Sequence, residues 1–398
     1  MHVGIYNRRL ATLGGGERYS LAIAATLSQQ HTVEVISHTP VAPALIAQRM
    51  QLPLEHVRWR VVAAQPPHTL GPLTREYDLF INASHNDFVP PQASRSSLLI
   101  YFPQRIDDHL NSQLRRMVVA LIHKPTTQLA WLRTLLERQA PELALRLQNP
   151  LPTRIFPIVD RYDALWTISR FTQQWVQAWW QRSSTLLYPP VDVAAFAPTA
   201  PKRNWILHVG RFFAGNHNKK HLTLIATFRE LVDHGLTGWE LHLAGGLNTG
   251  QLHADYLHQV RIAAQGYPIM LHVDIAFAAL AALYAQSAIY WHASGYGETE
   301  LHAPEKFEHF GITTVEAMAA GCVPVVIGKG GQPEIVRHGQ DGFLWQTLAE
   351  LQGYTRQVIT DTLLRQQLSH AARLRSQEFG HAHFEQRLAA AIEALGKR

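Results

Sequence analysis

Apolar positions in the first half of the chain follow two alternating rhythms. Val3-Gly4-Ile5-Tyr6 is a short continuous run and reads as a buried strand. Gly14-Gly15-Gly16 reads as a tight turn. From Glu17 to Gln30, Leu21, Ala24 and Ala25 share one face at i, i+3 and i+4, which predicts a helix. Thr32–Ile36 reads as the next strand, with Leu79–Asn82 and Leu98–Tyr101 as later ones. Residues 108–148 read as helical and are rich in Leu, Arg and Trp. Strands alternating with helices predict a parallel, doubly wound sheet.

Tyr188-Pro189-Pro190-Val191-Asp192 interrupts this rhythm, and the Pro- and Ala-rich stretch to Pro201 reads as an interdomain linker. The rhythm resumes with a strand at Trp205–Val209, a helix from about His221 to His234 and a strand at Glu240–Ala244 ending in Gly245-Gly246. Ala288–His292 and Val323–Ile327 read as further strands, with a helix from about Thr314 to Ala320 between them. The expected fold class is α/β: two Rossmann-like, doubly wound parallel-sheet domains facing across a cleft. The expected boundaries are 1–196, a linker at 197–203, and 204–375. No internal sequence repeat relates the halves. Open parallel sheets bind ligands beyond the carboxyl ends of their strands. The Gly-rich and charged segments fall at those ends in both halves.

Composition narrows the class. The 398 residues are 46% apolar and 17% charged, enough for two real cores and unlike a disordered, collagenous or coiled-coil chain. Cys322 is the one cysteine, which excludes a disulfide framework and a four-cysteine zinc site. At the start of a buried strand it reads as a small core residue. The 23 histidines form no His-Glu-X-X-His pattern, and His381-X-His383 stands alone; a compositional bias is the better account. The N-terminus carries no secretory pattern, and no apolar run has membrane-spanning length. The expectation is a cytoplasmic protein, with peripheral contact at the inner membrane face left open.

The net charge of +6 is uneven. Residues 1–200 hold 19 Lys+Arg against 13 Asp+Glu, and all but Lys124 of those cations are arginines. Residues 201–398 hold 17 of each sign. A basic half joined to a neutral half predicts different partners for the two domains. Nucleic acid fits the charge, but no matching motif is present.

Three constellations carry candidate chemistry. Glu308-His309-Phe310-Gly311-Ile312-Thr313-Thr314-Val315-Glu316 places two carboxylates eight positions apart, with a helix starting between them. Free N–H groups near Gly311 to Thr313, with the helix dipole, favour an anion such as a diphosphate. The carboxylates can accept sugar hydroxyls on either side. An acidic turn that merely complements the dipole fits the spacing equally well. Second, Gly210-Arg211 followed by Lys219-Lys220 sets a close-approach glycine before an Arg and a Lys that can neutralise phosphate charge; a solvated basic loop is the plainer account. Third, Gly14-Gly15-Gly16-Glu17 is a glycine loop at a helix start, suited to phosphate approach or to a plain turn.

Together these segments resemble family 4 glycosyltransferases. The resemblance runs through Gly14 to Arg18, Tyr188 to Asp192, Val209-Gly210-Arg211 with Lys219, and Glu308 to Glu316 followed by Ala317-Met318-Ala319-Ala320-Gly321. Gly330-Gly331-Gln332-Pro333-Glu334-Ile335-Val336 and Asp341-Gly342-Phe343-Leu344 continue it. It implies the glycosyltransferase B fold and a retaining hexose transfer. The C-terminal domain would bind a nucleotide-diphospho-sugar and the N-terminal domain the acceptor, a glycan or lipid-linked molecule. Arg211 and Lys219 would hold the diphosphate, Glu308 the transferred sugar and Glu316 the ribose hydroxyls. Backbone groups at Phe310, Gly311, Ile312 and Thr313 would meet phosphate or sugar. Gly15 and Gly16 would close from the opposite domain. Residues 376–398, with a helix around Phe384 to Leu395, would cross back onto the N-terminal domain.

Arg211, Lys219 and helix N-termini could stabilise the diphosphate leaving group without a metal, so the expectation is a reaction without cofactor or metal, and the lack of any Asp-X-Asp pair is consistent with it. The leaving phosphate would accept the acceptor's proton during same-face attack. The stretch Trp291-His292-Ala293 and Pro304 to Gly311 looks closest to mannosyltransferases of lipid-linked oligosaccharide assembly, which points to GDP-mannose.

One departure concerns Tyr101-Phe102-Pro103, where many family members have His-Phe-Pro. Tyr101 and His85 are the acceptor-side candidates, with a packed core tyrosine as the alternative for Tyr101; His123 is a further candidate, and a structural role is the better account for His85 and His123 alike. The segment 293–307 is longer than the usual link and reads as a lid or a solvated loop. The basic stretch 110–148, with Arg115, Arg116, Lys124, Trp131, Arg133, Arg138 and Arg146, could meet an anionic membrane surface or pack as an ordinary helix pair. A sugar-nucleotide epimerase of the same architecture and a non-catalytic nucleotide-sugar or glycan binder are the alternative functions.

Overall fold

The computed structural model describes residues 1–50, 52–104, 156–215 and 217–396. Seven strands form the first sheet: β1 (His2–Tyr6), β2 (Thr32–Ser37), β3 (Val57–Val61), β4 (Leu79–Asn82), β5 (Arg95–Ile100), β6 (Ala164–Thr167) and β7 (Thr185–Leu186). Six form the second: β8 (Arg203–Val209), β9 (Glu240–Gly245), β10 (Ile269–Val273), β11 (Ser287–His292), β12 (Val323–Ile327) and β13 (Phe343–Trp345). Their orders are β3-β2-β1-β4-β5-β6-β7 and β10-β9-β8-β11-β12-β13. The pairings are parallel, as for β1 with β2 and β4 and for β11 with β8 and β12. The chain is thus α/β with two doubly wound sheets.

The apolar runs are continuous because both sheet faces are covered. Val3 and Ile5 pack into one core cluster and Tyr6 into another, following the two-residue alternation of a strand. The first cluster extends into residues of the second half, among them Leu207, Val315 and Phe384. The strands the pattern did not foresee include edge strands. In β3, Val-Arg-Trp-Arg-Val lies at a sheet margin, and Arg60 pairs with Glu34 of β2 at 3.4 Å and with Glu76 at 2.6 Å. Met270 of β10 is 47% exposed. Margin positions need no continuous apolar run, so periodicity does not mark them.

The Pro-rich stretch after Tyr188 is packed rather than slack. Phe196 is buried against Phe277 and Tyr284, and Val191 N–H donates to the Phe379 carbonyl at 2.9 Å. The closing helix His381–Leu395 sets Phe384 edge-on to Tyr19 of the helix Gly15–Ser28, with ring centres 5.8 Å apart. No helix among the described residues is long and apolar enough to cross a membrane. The basic stretch 110–148 and its cations, with His123 and Trp131, lie outside the described residues.

Sheet order reverses between β1 and β4 in one domain and between β8 and β11 in the other. Those are the positions where open sheets leave a crevice at their carboxyl ends. Gly14 to Glu17 follows β1. Gly210 follows β8, and Ala293 to Glu308 follows β11.

Candidate active site

At the second switch point the chain brings Lys219 and Glu308 together. The Lys219 ammonium lies 2.6 Å from Glu308 Oε2, with the two side chains 17% and 21% exposed. Gly210 makes room for this. A Cβ there would stand 2.7 Å from Lys219 Cγ and 2.8 Å from its Cβ. Glu308 is fixed from behind as well, because its carbonyl accepts the Gly331 N–H at 2.7 Å. Burial alone would raise the Glu308 carboxyl, but the Lys219 ammonium and the His292 imidazole beside it hold it well below the usual carboxylate range. Glu308 is therefore ionised at neutral pH.

Gly311 turns the chain into the helix Ile312–Ala319. Its φ of +120° is one that side chains rarely tolerate. The N–H groups of Ile312 and Thr313 have no acceptor among the described residues, as expected in a first helical turn. They sit beside the Lys219–Glu308 pair with the positive end of the helix dipole. Thr313 Oγ1 accepts the Tyr290 hydroxyl at 2.8 Å. Phe310 is buried between Tyr188 and Phe379, so only its backbone could meet a ligand. Gly15 faces this helix start from the other domain: a Cβ on it would lie 3.6 Å from Ile312 Cδ1.

Glu316 is one turn further in and only 9% exposed. Its Oε2 accepts the Tyr284 hydroxyl at 2.9 Å. Burial pushes its carboxyl up to about 7, against the pull of that hydrogen bond and of Arg18 from the opposite domain.

The remaining expected residues make other contacts. Arg211 is exposed, pairs with no carboxylate among the described residues, and lies over the Phe213 ring at 5.7 Å. The Tyr101 hydroxyl donates towards the carbonyls of Gly16 at 2.8 Å and Ala83 at 3.1 Å. It braces the glycine loop with its one proton instead of offering it to a ligand. A Cβ on Gly16 would come within 3.3 Å of that ring. His85 is exposed and edge-on to Tyr101 at 5.9 Å. The long segment 293–307 is tied to its own domain. Glu298 bridges Lys220 at 3.0 Å and Lys306 at 3.1 Å, and Tyr296 packs on Trp345. A Cβ on Gly295 would stand 2.3 Å from Phe307.

Sequence reasoning missed three contributors. His292, the last residue of β11, donates from Nε2 to Glu308 Oε2 at 3.1 Å. Its place at a strand end by the switch point was the available signal. Tyr284, which binds Glu316, carried none. Glu334 stands in the sequence only as part of the Gly330–Val336 motif. It accepts the N–H groups of Arg170 and Phe171 and the Tyr188 hydroxyl, joining the two domains. His309 also reaches across, stacking on Phe102 with centres 4.2 Å apart. Among the described residues no group of three or more His, Cys, Asp or Glu could hold a metal ion.

Known proteins resemble the chain in both sequence and fold. Residues 194–375 match the family model described as glycosyl transferases group 1. The chain has the glycosyltransferase B fold. It superposes on Anabaena HepE in complex with UDP and glucose at a TM-score of 0.66, with 17% identity over 99% of this chain and 100% of that one. Sucrose-phosphate synthase from Thermosynechococcus elongatus gives a TM-score of 0.64, with 16% identity over 100% and 99% of the chains. In sequence, 265 residues are 26% identical to a GDP-Man:Man(3)GlcNAc(2)-PP-Dol alpha-1,2-mannosyltransferase of Dictyostelium discoideum. That match covers 61% of this chain and half of the mannosyltransferase's length. The group 1 match covers the strands and loops that carry Lys219, Glu308 and Glu316.

Proposed function

We propose that the protein is a retaining glycosyltransferase of family 4. It would move a hexose from a nucleotide-diphospho-sugar to a glycan or lipid-linked acceptor, with GDP-mannose as the first donor to test. The observation that carries this reading is the Lys219–Glu308 pair beside the open helix start at Ile312, at the switch point of the second sheet. The group 1 match over 194–375 and the similarity to a mannosyltransferase support it.

The assigned roles follow from charge. In the transfer, the bond between the sugar's anomeric carbon and the diphosphate oxygen breaks, and its electron pair leaves with the diphosphate. The acceptor oxygen forms the new bond on the same face, and its proton passes to the departing phosphate. Lys219 and the N–H groups of Ile312 and Thr313 face the charge that grows on the leaving group, and exposed Arg211 can swing in to it. Glu308 offers a carboxylate to the hydroxyls and the developing cation of the sugar. Glu316 offers one to the ribose. This reading requires no metal.

The test is kinetic. Lys219→Ala should weaken binding of the nucleoside diphosphate by about 30-fold, the loss of one charge-assisted contact worth ~2 kcal/mol. Glu308→Gln should slow transfer far more than it weakens donor binding. Unchanged kinetics in both variants would sink the site assignment.

A further inference from the structure

Glu308 accepts two hydrogen bonds, and both land on the same oxygen. Lys219 Nζ and His292 Nε2 meet Oε2 at 2.6 and 3.1 Å. Oε1 has no partner among the described residues, and the side chain is partly open to the cleft. The two donors differ in kind. Lys219 ends a flexible four-carbon stem. His292 is 1% exposed, the last residue of a strand hydrogen-bonded on both sides, with the ring of His208 beside it at 6.3 Å between centres.

The imidazole is held there at a cost. A carboxylate can only accept, so Nε2 carries the proton and Nδ1 is left as a bare acceptor. Nδ1 is buried without a hydrogen-bond partner among the described residues. Such a group is costly relative to a satisfied one, and an apolar ring would fill the same space without that loss. The bond to Oε2 is what a phenyl ring could not supply.

We propose that His292 is the positioning residue of the Glu308 carboxylate. It would keep Oε1 turned to the cleft once a diphosphate draws the Lys219 ammonium away from Oε2. This rests on the reading that Glu308 faces the transferred sugar. A bound diphosphate competes with Glu308 for the one lysine, and that competition would free the carboxylate to rotate. The buried imidazole does not compete for phosphate and stays where β11 puts it.

Two amide replacements separate the role from mere packing. Glutamine can place a donor near the position of Nε2, whereas the shorter asparagine cannot reach Oε2. His292→Gln, His292→Asn and Glu308→Gln are compared in full-length protein for melting temperature, binding of UDP and GDP, and turnover of GDP-mannose and UDP-glucose. The expected result is that His292→Asn binds the nucleotides as wild type does but turns over about 100-fold more slowly, the cost of a misplaced reacting group. His292→Gln should recover most of that loss. Equal turnover in the Gln and Asn variants, with Glu308→Gln inactive, overturns the proposal and leaves the sugar-facing carboxylate standing. An active Glu308→Gln removes the reading beneath it.

Discussion

The carboxylate of Glu334 accepts the backbone N–H of Phe171 at 2.7 Å, across the two domains. A second oxygen takes the N–H of Arg170 at 2.7 Å and the Tyr188 hydroxyl at 2.8 Å. Ser169 already caps the helix Arg170–Trp180, which begins at these N–H groups, by accepting from Thr172. The carboxylate therefore completes an N-terminus that one side chain leaves half satisfied, where the helix dipole favours negative charge. Glu334→Ala should lower stability by about 1–3 kcal/mol, because three donors lose their acceptor. Thermal unfolding measures this, and an unchanged melting temperature would show that the contact does not join the domains.

Glu316 predicts a pH dependence. Burial lifts its folded value to about 7 from an ordinary value of 4.5. The folded state therefore binds the proton more tightly than the unfolded chain, and this group's share of stability falls as the pH rises between those values. Ribose hydroxyls donate best to the ionised carboxylate, so nucleotide affinity should rise as the pH passes upward through about 7. Below that point the loss approaches about tenfold per pH unit. Calorimetric titration with GDP from pH 6 to 8 should show the slope in wild type and not in Glu316→Gln.

Gly311 is the backbone hinge of the site. A methyl group there would stand 2.5 Å from Gln332 Nε2, at a φ of +120°. Gly311→Ala should cost ~1–3 kcal/mol of stability through strain and also weaken nucleoside diphosphate binding, because the helix start shifts. Melting curves with and without GDP separate the two effects.

Tyr101 tests the acceptor side. Since its hydroxyl goes to the Gly16 and Ala83 carbonyls, Tyr101→Phe should lose ~1 kcal/mol of stability and leave the acceptor KM unchanged. A raised acceptor KM at constant stability would restore it as an acceptor ligand.

Much of this was legible in the sequence. Gly210, Lys219, Glu308 and Gly311 lie at strand ends and before helix starts, with Glu316 one turn into the helix Ile312–Ala319, where local chemistry and topology coincide. Leu79–Asn82 and Val323–Ile327 appear with the expected bounds because both lie in sheet interiors. The remainder depends on contacts distant in the chain. Tyr284 reaches Glu316 from 32 positions away, and Glu334 meets Phe171 from 163. Tyr101 looks like a site residue by its neighbours, yet its hydroxyl proton goes to a carbonyl 85 positions away. No local pattern encodes such pairings.

The most direct measurement is a proton NMR time course of the protein with GDP-mannose, then with UDP-glucose, alone and with glycan acceptors. The expected result is release of nucleoside diphosphate, with the product's first-formed anomer matching that of the donor, in wild type and not in Glu308→Gln. Interconversion of two sugar nucleotides, or nucleotide binding with no turnover under any acceptor, would contradict a retaining transferase built on Lys219 and Glu308.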